Sequence, residues 1–432
     1  FQLGLFENPF VDEAGAAALF DTATQRGLAR RIGQQSIVLL KNEANLLPLA
    51  KSLGSVAVIG PNAGVSRNLV GDYTYICHVE TLIEAREKDN AFGAAIAKDI
   101  EIVEDFVPID SVVEAIRLAV SSGTTVHFAQ GCDVNSDRRD GFAAAVDAAK
   151  QADVAIVVVG DKSGLTDDCT SGEARDRADL DLPGVQQQLV EAVVATGTPT
   201  VVVLVNGRPL SINWIAEHVP AIVEAWLPGE EGGGAIADVL FGAVNPGGKL
   251  PMTFPRSVGQ VPIYYGHKPS GGRSHWKTTY VDLSNEPLFP FGFGLSYTTF
   301  ELSDLRLDRQ SAEAGQTVAV QVDVTNTGAL AGDEVVQFYV RNAAASVTRP
   351  LKELAGFRRV HLMPGERRTV TLDLAVNQLA FLDRDMRWVV EPGQVRVMAG
   401  TSSVDLPLAA GFEITGDVAE VGRQRVFASR CE

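Results

Sequence analysis

Residues 154–160 read VAIVVVG, and the chain then runs into GDKSGLTDDCTSGEARDRADLDLPG over 160–184. Six apolar residues, mostly β-branched, ending in glycine have the length and composition of a strand buried on both faces. The same pattern recurs at Ser55–Gly60 (SVAVIG), Thr124–Gly131, Thr200–Gly207 (TVVVLVNG) and Ala221–Leu227 (AIVEAWL). Between these runs lie helical stretches at Ser111–Val120, Gly141–Ala152, Gly184–Thr196 and Gly232–Phe241. Doubly buried strands alternating with helices predict an α/β fold, a mostly parallel-sheet α/β sandwich. In such sheets ligands bind beyond the carboxyl ends of the strands, so the loops after Gly60 and Gly160 are the first places to look for chemistry.

Outward from this core the pattern changes on both sides. Residues 1–50 read as helical, with apolar residues at mixed three and four spacing in Ala14–Leu19 and Gly27–Leu40 and candidate caps at Asp21 and Thr22. Residues 51–300 form the α/β unit, whose last part, 244–300, is a loop-rich connector (NPGGKLPMTFP, HKPSGGRSHW, PFGFGLSY). After Phe300 the period becomes two: Val318, Val320, Val322 and Val324 alternate with polar or small residues, as do Val336, Phe338 and Val340, then Val370, Leu372 and Leu374, then Val395 and Val397. With Leu302–Leu307, Leu351–Val360 and Leu379–Val389, residues 301–415 read as an all-β sandwich of about seven strands, of immunoglobulin or fibronectin type III kind. Residues 416–432 read as a tail.

Composition narrows the function classes. The 432 residues carry a formal net charge of −17, which argues against nucleic acid or an anionic membrane as partner, since both need a basic footprint. No apolar run reaches the ~18 residues of a membrane helix. The four cysteines, Cys77, Cys132, Cys169 and Cys431, are too few for a disulfide scaffold and have no zinc-like spacing. Neither a metal nor an organic cofactor is signalled. With no leader segment and few cysteines, a cytoplasmic setting is favoured slightly over a secreted one, although the start at Phe1 reads as a processed end or a fragment edge.

The loop after Gly160 holds seven carboxylates between Asp161 and Asp181, against Lys162, Arg175 and Arg177. A carboxyl among like charges is harder to ionise, and a carboxylic acid that keeps its proton near neutral pH is what a general acid needs. By composition alone a solvated acidic loop laced by Arg–Asp pairs is the commoner outcome. The loop after Gly60, GPNAGVSRNLVGDYTY, offers Arg67, Asp72, Tyr73 and Tyr75. Aromatic faces beside polar donors suit a sugar, which has an apolar C–H face and a ring of hydroxyls; the alternative is tyrosines packed on a neighbouring unit. GPNAG lacks the lysine and hydroxyl of a P-loop. His267, His275 and Trp276 have no further ligands at metal spacing and read as surface or interface contacts.

Several segments in order, GLFENPFVD (4–12), SIVLLKNE (36–43), VAVIGPNA (56–63), SGEARDRADLDLPGVQQQLVEAV (171–193), VLVNGRPL (203–210), the long run 224–265, PFGFGLSYTTF (290–300) and RPLKELAGF (349–357), resemble the C-terminal two-thirds of bacterial β-glucosidases and β-xylosidases of glycoside hydrolase family 3. The resemblance implies an α/β sandwich followed by a fibronectin type III-like domain. It also implies a TIM-like barrel, here absent, that carries the aspartate nucleophile. It puts the acid/base at Glu173 and makes Tyr73 the aromatic residue on the aglycone side; Asp72, Arg67 and Asp168 join it as candidate substrate-binding residues. Asp167, Asp168 and Asp176 are expected to crowd Glu173, with Arg175 and Arg177 turned outward or paired with Asp176 and Asp179.

The expected function is therefore part of a retaining β-glycosidase acting on terminal β-D-glucosyl residues by double displacement. A β-xylosidase of the same mechanism is one alternative, and a non-catalytic docking or dimerisation module is the other. The expected partners are a β-glucoside or short β-linked oligosaccharide and a barrel domain or chain, with a homo-oligomer allowed. The chain alone is expected to be inactive.

Overall fold

The computed structural model of the chain describes residues 1–88, 101, 107–269 and 280–432. Helix α1 (Ala23–Ser36) starts at Thr22, whose hydroxyl accepts the Gln25 N–H while the Gln25 side chain accepts the Thr22 N–H. The helix ends at Ser36. Ile37 is extended and Val38–Asn42 is a strand, β1, so the helical reading of Gly27–Leu40 runs four residues too far. A four-residue apolar run has no period that separates helix from strand. What decides is burial: Ile37, Val38 and Leu39 are fully buried in the sheet.

That sheet contains β1, β2 (Ser55–Ile59), β3 (Thr125–Ala129), β4 (Val154–Gly160), β5 (Thr200–Val205) and β6 (Ala221–Glu224), in the spatial order β1-β6-β5-β4-β2-β3. Every pair is parallel except β1 with β6. Helices α2 (Tyr75–Glu87), α3 (Val112–Ala119), α4 (Phe142–Lys150), α5 (Gln186–Val194), α6 (Asn213–His218) and α7 (Gly232–Leu240) connect and cover the strands. Alternate residues of each strand enter two separate cores. Val56, Val58, Ile156 and Val158 meet Val112 and Ile116 of α3 and Ile236 and Leu240 of α7. Ala57, Ile59, Val157 and Val159 meet Ala145 of α4 and Leu189 and Val193 of α5 on the other face. Each fully buried Val or Ile contributes about 1.5–3 kcal/mol before chain entropy is counted, so β4, with all seven residues buried, is the anchor of the sheet.

The all-β unit has seven long strands: β7 (Phe300–Leu307), then, past the two-residue β8 (Ser311–Ala312), β9 (Thr317–Asn326), β10 (Gly332–Asn342), β11 (Glu353–Leu362), β12 (Arg367–Ala375), and later β15 (Gly393–Gly400) and β16 (Leu408–Ile414). Leu379–Val389, read as one strand, is instead the short hairpin of β13 (Phe381–Leu382) and β14 (Trp388–Val390), and the strand missed from the sequence is β16. Two sheets, one ordered β11-β10-β15-β16-β8 and the other built on β12-β9-β7, enclose one core. The stretch read as a tail supplies β17 (Ala419–Glu420) and β18 (Arg430–Cys431), the latter pairing with β12. The guanidinium of Arg425 lies 3.8 Å from the Trp388 ring centroid, a cation–π contact that holds this end down.

The connector bridges the two units. Lys249 and Glu334 form a buried ion pair at 2.8 Å, Gln337 donates to the Gly292 carbonyl, and Arg359 reaches across to the Gln35 carbonyl of α1. The chain steps from β2 outward to β3 and then back to β4, on the other side of β2. The loops after β2 and β4 thus leave neighbouring strands in diverging directions, the crevice-forming arrangement of open α/β sheets.

Candidate active site

Gly160 ends β4 at φ +145°, and a Cβ there would lie 1.9 Å from the Val205 carbonyl oxygen, so only glycine lets the chain turn off the sheet here. The loop that follows is tied to itself. The Gly164 N–H bonds the Ser171 carbonyl, Thr170 N–H bonds the Lys162 carbonyl, and Ser163 and Ser171 form a short parallel bridge. This lacing carries Glu173 to an exposed tip.

The tip meets the loop after β2. The Tyr73 hydroxyl donates to Glu173 Oε2 at 2.5 Å, and the Glu173 N–H donates to Asp72 Oδ2 at 3.0 Å. Residues one hundred positions apart are thereby joined across the crevice, both on loops leaving adjacent strands. Tyr73 is 66% exposed, and its hydroxyl is pushed above the ordinary tyrosine range because a phenolate would lose that hydrogen bond and face a carboxylate.

The other expected site residues are placed differently. Arg67 turns inward and grips Glu80 of α2 with two N–H donors at 2.9 and 2.7 Å; it anchors α2 rather than facing the crevice. Asp168 is taken by Lys162 at 2.5 Å and by the Thr166 hydroxyl at 2.7 Å. Burial opposes its ionisation, but these two donors outweigh that and hold its carboxyl below the usual range. Asp167 is likewise held down by Lys88, with Arg175 adding to it. Asp167 and Asp168, expected to crowd Glu173, are therefore neutralised by cations within reach, one of them, Lys88, just past the end of α2. Arg177 pairs with Asp179 at 2.6 Å as expected, but Arg175 turns to Asp167 at 3.5 Å instead of Asp176, and its carbonyl receives the Arg208 guanidinium. A polar cavity of about 300 Å³ opens beside Ala174–Arg177.

Beneath the loops lies a polar layer that sequence reasoning missed. Asp161 and Glu224 cap β4 and β6 with no exposed surface. Burial raises both carboxyls, Glu224 to about 8. Asp161 accepts from Thr170 and from the Gly207 N–H; Glu224 accepts from the Trp226 N–H at 2.8 Å and from Asn206 at 3.3 Å. Gln186 bonds both the N–H and the carbonyl of Gly160, and Asn62 donates to the carbonyls of Asp161 and Val205. The available signal was a polar residue at or within three positions of the end of four of the apolar runs: Asn62 in GPN, Asp161 in GD, Asn206 in VNG, Glu224 in IVE.

Of the aromatic and imidazole candidates in the connector, His267 turns to the Lys268 carbonyl and its own carbonyl accepts the Leu351 N–H of the all-β unit, an interface contact as expected. His275 and Trp276 lie outside the described residues. Among the described residues no cluster of three or more His, Cys, Asp or Glu is arranged to hold a metal ion.

Residues 37–297 match the glycosyl hydrolase family 3 C-terminal domain, and residues 334–403 match the fibronectin type III-like domain. A β-xylosidase of Formosa agariphila is 44% identical over 93% of this chain and 52% of its own length. A periplasmic β-glucosidase of Salmonella typhimurium is 36% identical over 93% of this chain and 52% of its own length. The solved β-glucosidase of Listeria innocua, crystallised with isofagomine, superposes with a TM-score of 0.80 at 34% identity, over 96% of this chain and 54% of that one. The chain thus spans about half the length of the relatives it matches, rather than the two-thirds the motifs suggested. It belongs to glycosyl hydrolase family 3, carrying that family's C-terminal domain followed by a fibronectin type III-like domain.

Proposed function

We propose that this chain is the acid/base-bearing part of a retaining β-glycosidase that removes terminal non-reducing β-D-glucosyl residues, with Glu173 as the acid/base and an aspartate nucleophile on a TIM-like barrel unit. The observation that carries the reading is the clasp of Glu173 by Tyr73 at the switch point of the sheet, exposed where a second unit can approach. In double displacement the two carboxyls stand ~5–5.5 Å apart; one attacks the anomeric carbon, the other protonates the departing oxygen and then takes a proton from water. Tyr73 occupies Oε2, which leaves Oε1 to carry the proton toward the glycosidic oxygen. The Tyr73 ring, two-thirds exposed beside that atom, suits the leaving group's apolar face. Phe1, Leu3, Phe6 and Phe10, each at least 76% exposed, give an assembling barrel an apolar footing.

The test compares wild type with Glu173→Ala in the presence of the barrel unit. Turnover of alkyl or oligosaccharide β-glucosides should fall by about 10²–10⁴, and that of an activated dinitrophenyl glucoside by much less in its first step. Azide should restore part of the turnover of the activated substrate, because it needs no general base. Near wild-type activity, with no azide effect, would remove Glu173 from this role. The second reading is β-xylosidase by the same mechanism, favoured by the 44% identity to a protein of that name; paired assays on aryl glucoside and aryl xyloside separate the two.

A further inference from the structure

We propose that Asp72 is a positioning residue that fixes the main chain at Glu173, while Tyr73 next to it fixes the side chain; this rests on Glu173 being the acid/base. The sequence suggests Asp72 as a sugar ligand, but its Oδ2 is engaged by the Glu173 N–H at 3.0 Å. The need for such a contact lies in the loop tip. Gly172–Arg175 is a turn closed by the Arg175 N–H on the Gly172 carbonyl. Its third residue, Ala174, sits at φ +57°, a position glycine would fill without strain. Gly172 is at φ +122°, and a Cβ there would come 2.4 Å from the Gly164 carbonyl oxygen and 3.2 Å from the Asp72 Cβ. The two loops are thus in contact at Gly172. An alanine-bearing turn of this shape is not held by its own preferences; a contact from outside must select it. Asp72 supplies that contact to the peptide N–H, which no change of rotamer at Glu173 can release. Consecutive residues of one loop therefore grip backbone and carboxylate of the same glutamate, and the aim of Oε1 is set from the β2 side of the crevice.

Two measurements test this. The first is amide hydrogen exchange over residues 171–176 in this chain by itself. Asp72→Ala should speed exchange at Glu173 at least tenfold. Asp72→Asn, which keeps an acceptor oxygen, should leave it near wild type, and Tyr73→Phe should not mimic Asp72→Ala. The second is kinetics with the barrel unit present. Asp72→Ala should lower kcat about 10–100-fold for a poor leaving group and far less for a dinitrophenyl glucoside, with KM little changed and Asp72→Asn recovering most of the loss. Unchanged exchange in Asp72→Ala overturns the proposal. So does a raised KM with equal loss on both substrates, which is the mark of a sugar ligand. Should Glu173→Ala itself show no leaving-group dependence, the acid/base reading falls, while the exchange arm still decides whether Asp72 holds the loop.

Discussion

Glu224 gives the sharpest test of the buried polar layer. It closes β6 with no exposed surface, and its partners are the Trp226 N–H and the Asn206 amide. Burial raises its carboxyl from 4.5 to about 8; these two donors pull the other way, and Asp161 adds to the rise. The sign of the stability effect follows. Below the open-chain value both states hold the proton, and Glu224 costs the fold nothing. Between 4.5 and about 8 the unfolded chain has released a proton that the folded chain keeps, so stability falls as pH rises, by about 1.4 kcal/mol per unit. Above about 8 the loss is complete, with a ceiling of about 5 kcal/mol.

The perturbation is Glu224→Gln, which keeps a carbonyl oxygen for Trp226 and cannot ionise. Asn206 Nδ2 also donates to the Arg208 carbonyl at 2.9 Å, so turning its amide toward the new Gln N–H would break that bond; this exchange of partners shifts stability by an amount independent of pH. Urea midpoints of the α/β unit, followed by the fluorescence of Trp214 and Trp226 with Trp276 and Trp388 replaced by Phe, would be compared from pH 5.5 to 9. The variant's advantage should widen by about 1 kcal/mol or more per pH unit up to pH 8 and then level off. Asp161, also raised by burial, titrates in both proteins, so the difference reports Glu224 together with its coupling to Asp161. A gap that stays constant across the range would refute the claim that this carboxyl is held neutral in the fold.

Three further outcomes follow from the same accounting of partners. Gln186→Leu should cost about 3 kcal/mol or more in the denaturant midpoint, because it strips partners from the Gly160 N–H and carbonyl and from the Val134 carbonyl while keeping the volume. Arg67→Ala should cost about 2–3 kcal/mol by leaving Glu80 unpaired, and Arg67→Lys should recover little of it, since an ammonium cannot make the two-pronged contact. Asp323, despite its burial, is held down to about 2 by the Thr369 hydroxyl, Arg306 and Arg367. Its contribution to the all-β unit is present above pH 4 and is lost as pH falls toward 2; Asp323→Asn should flatten that part of an acid-unfolding curve.

What the sequence disclosed, and what it withheld, divides along a physical line. The parallel strands were legible because both faces are buried, which forces a run of β-branched residues closed by a chain-turning glycine; Val154–Gly160 matches its strand residue for residue. Ser111 was legible as a helix start because its cap is local, completed by Glu114. Ile37–Leu40 was misread because what makes it a strand is pairing with β6, nearly two hundred residues away. The site divides in the same way. A carboxylate-rich loop after β4 can be seen in one dimension, but the cations that neutralise Asp167 and Asp168 are chosen by the folded path, and Lys88 comes from the end of α2. Tyr73 and Glu173 meet only because β2 and β4 are neighbours in the sheet, a fact set by strand order. Had strand order been derived first, the meeting of the two loops would have followed from it. Asp72 would then have read as a residue at a loop–loop contact, whose first obligation is to the unpaired N–H groups of the facing backbone and only afterwards to a ligand.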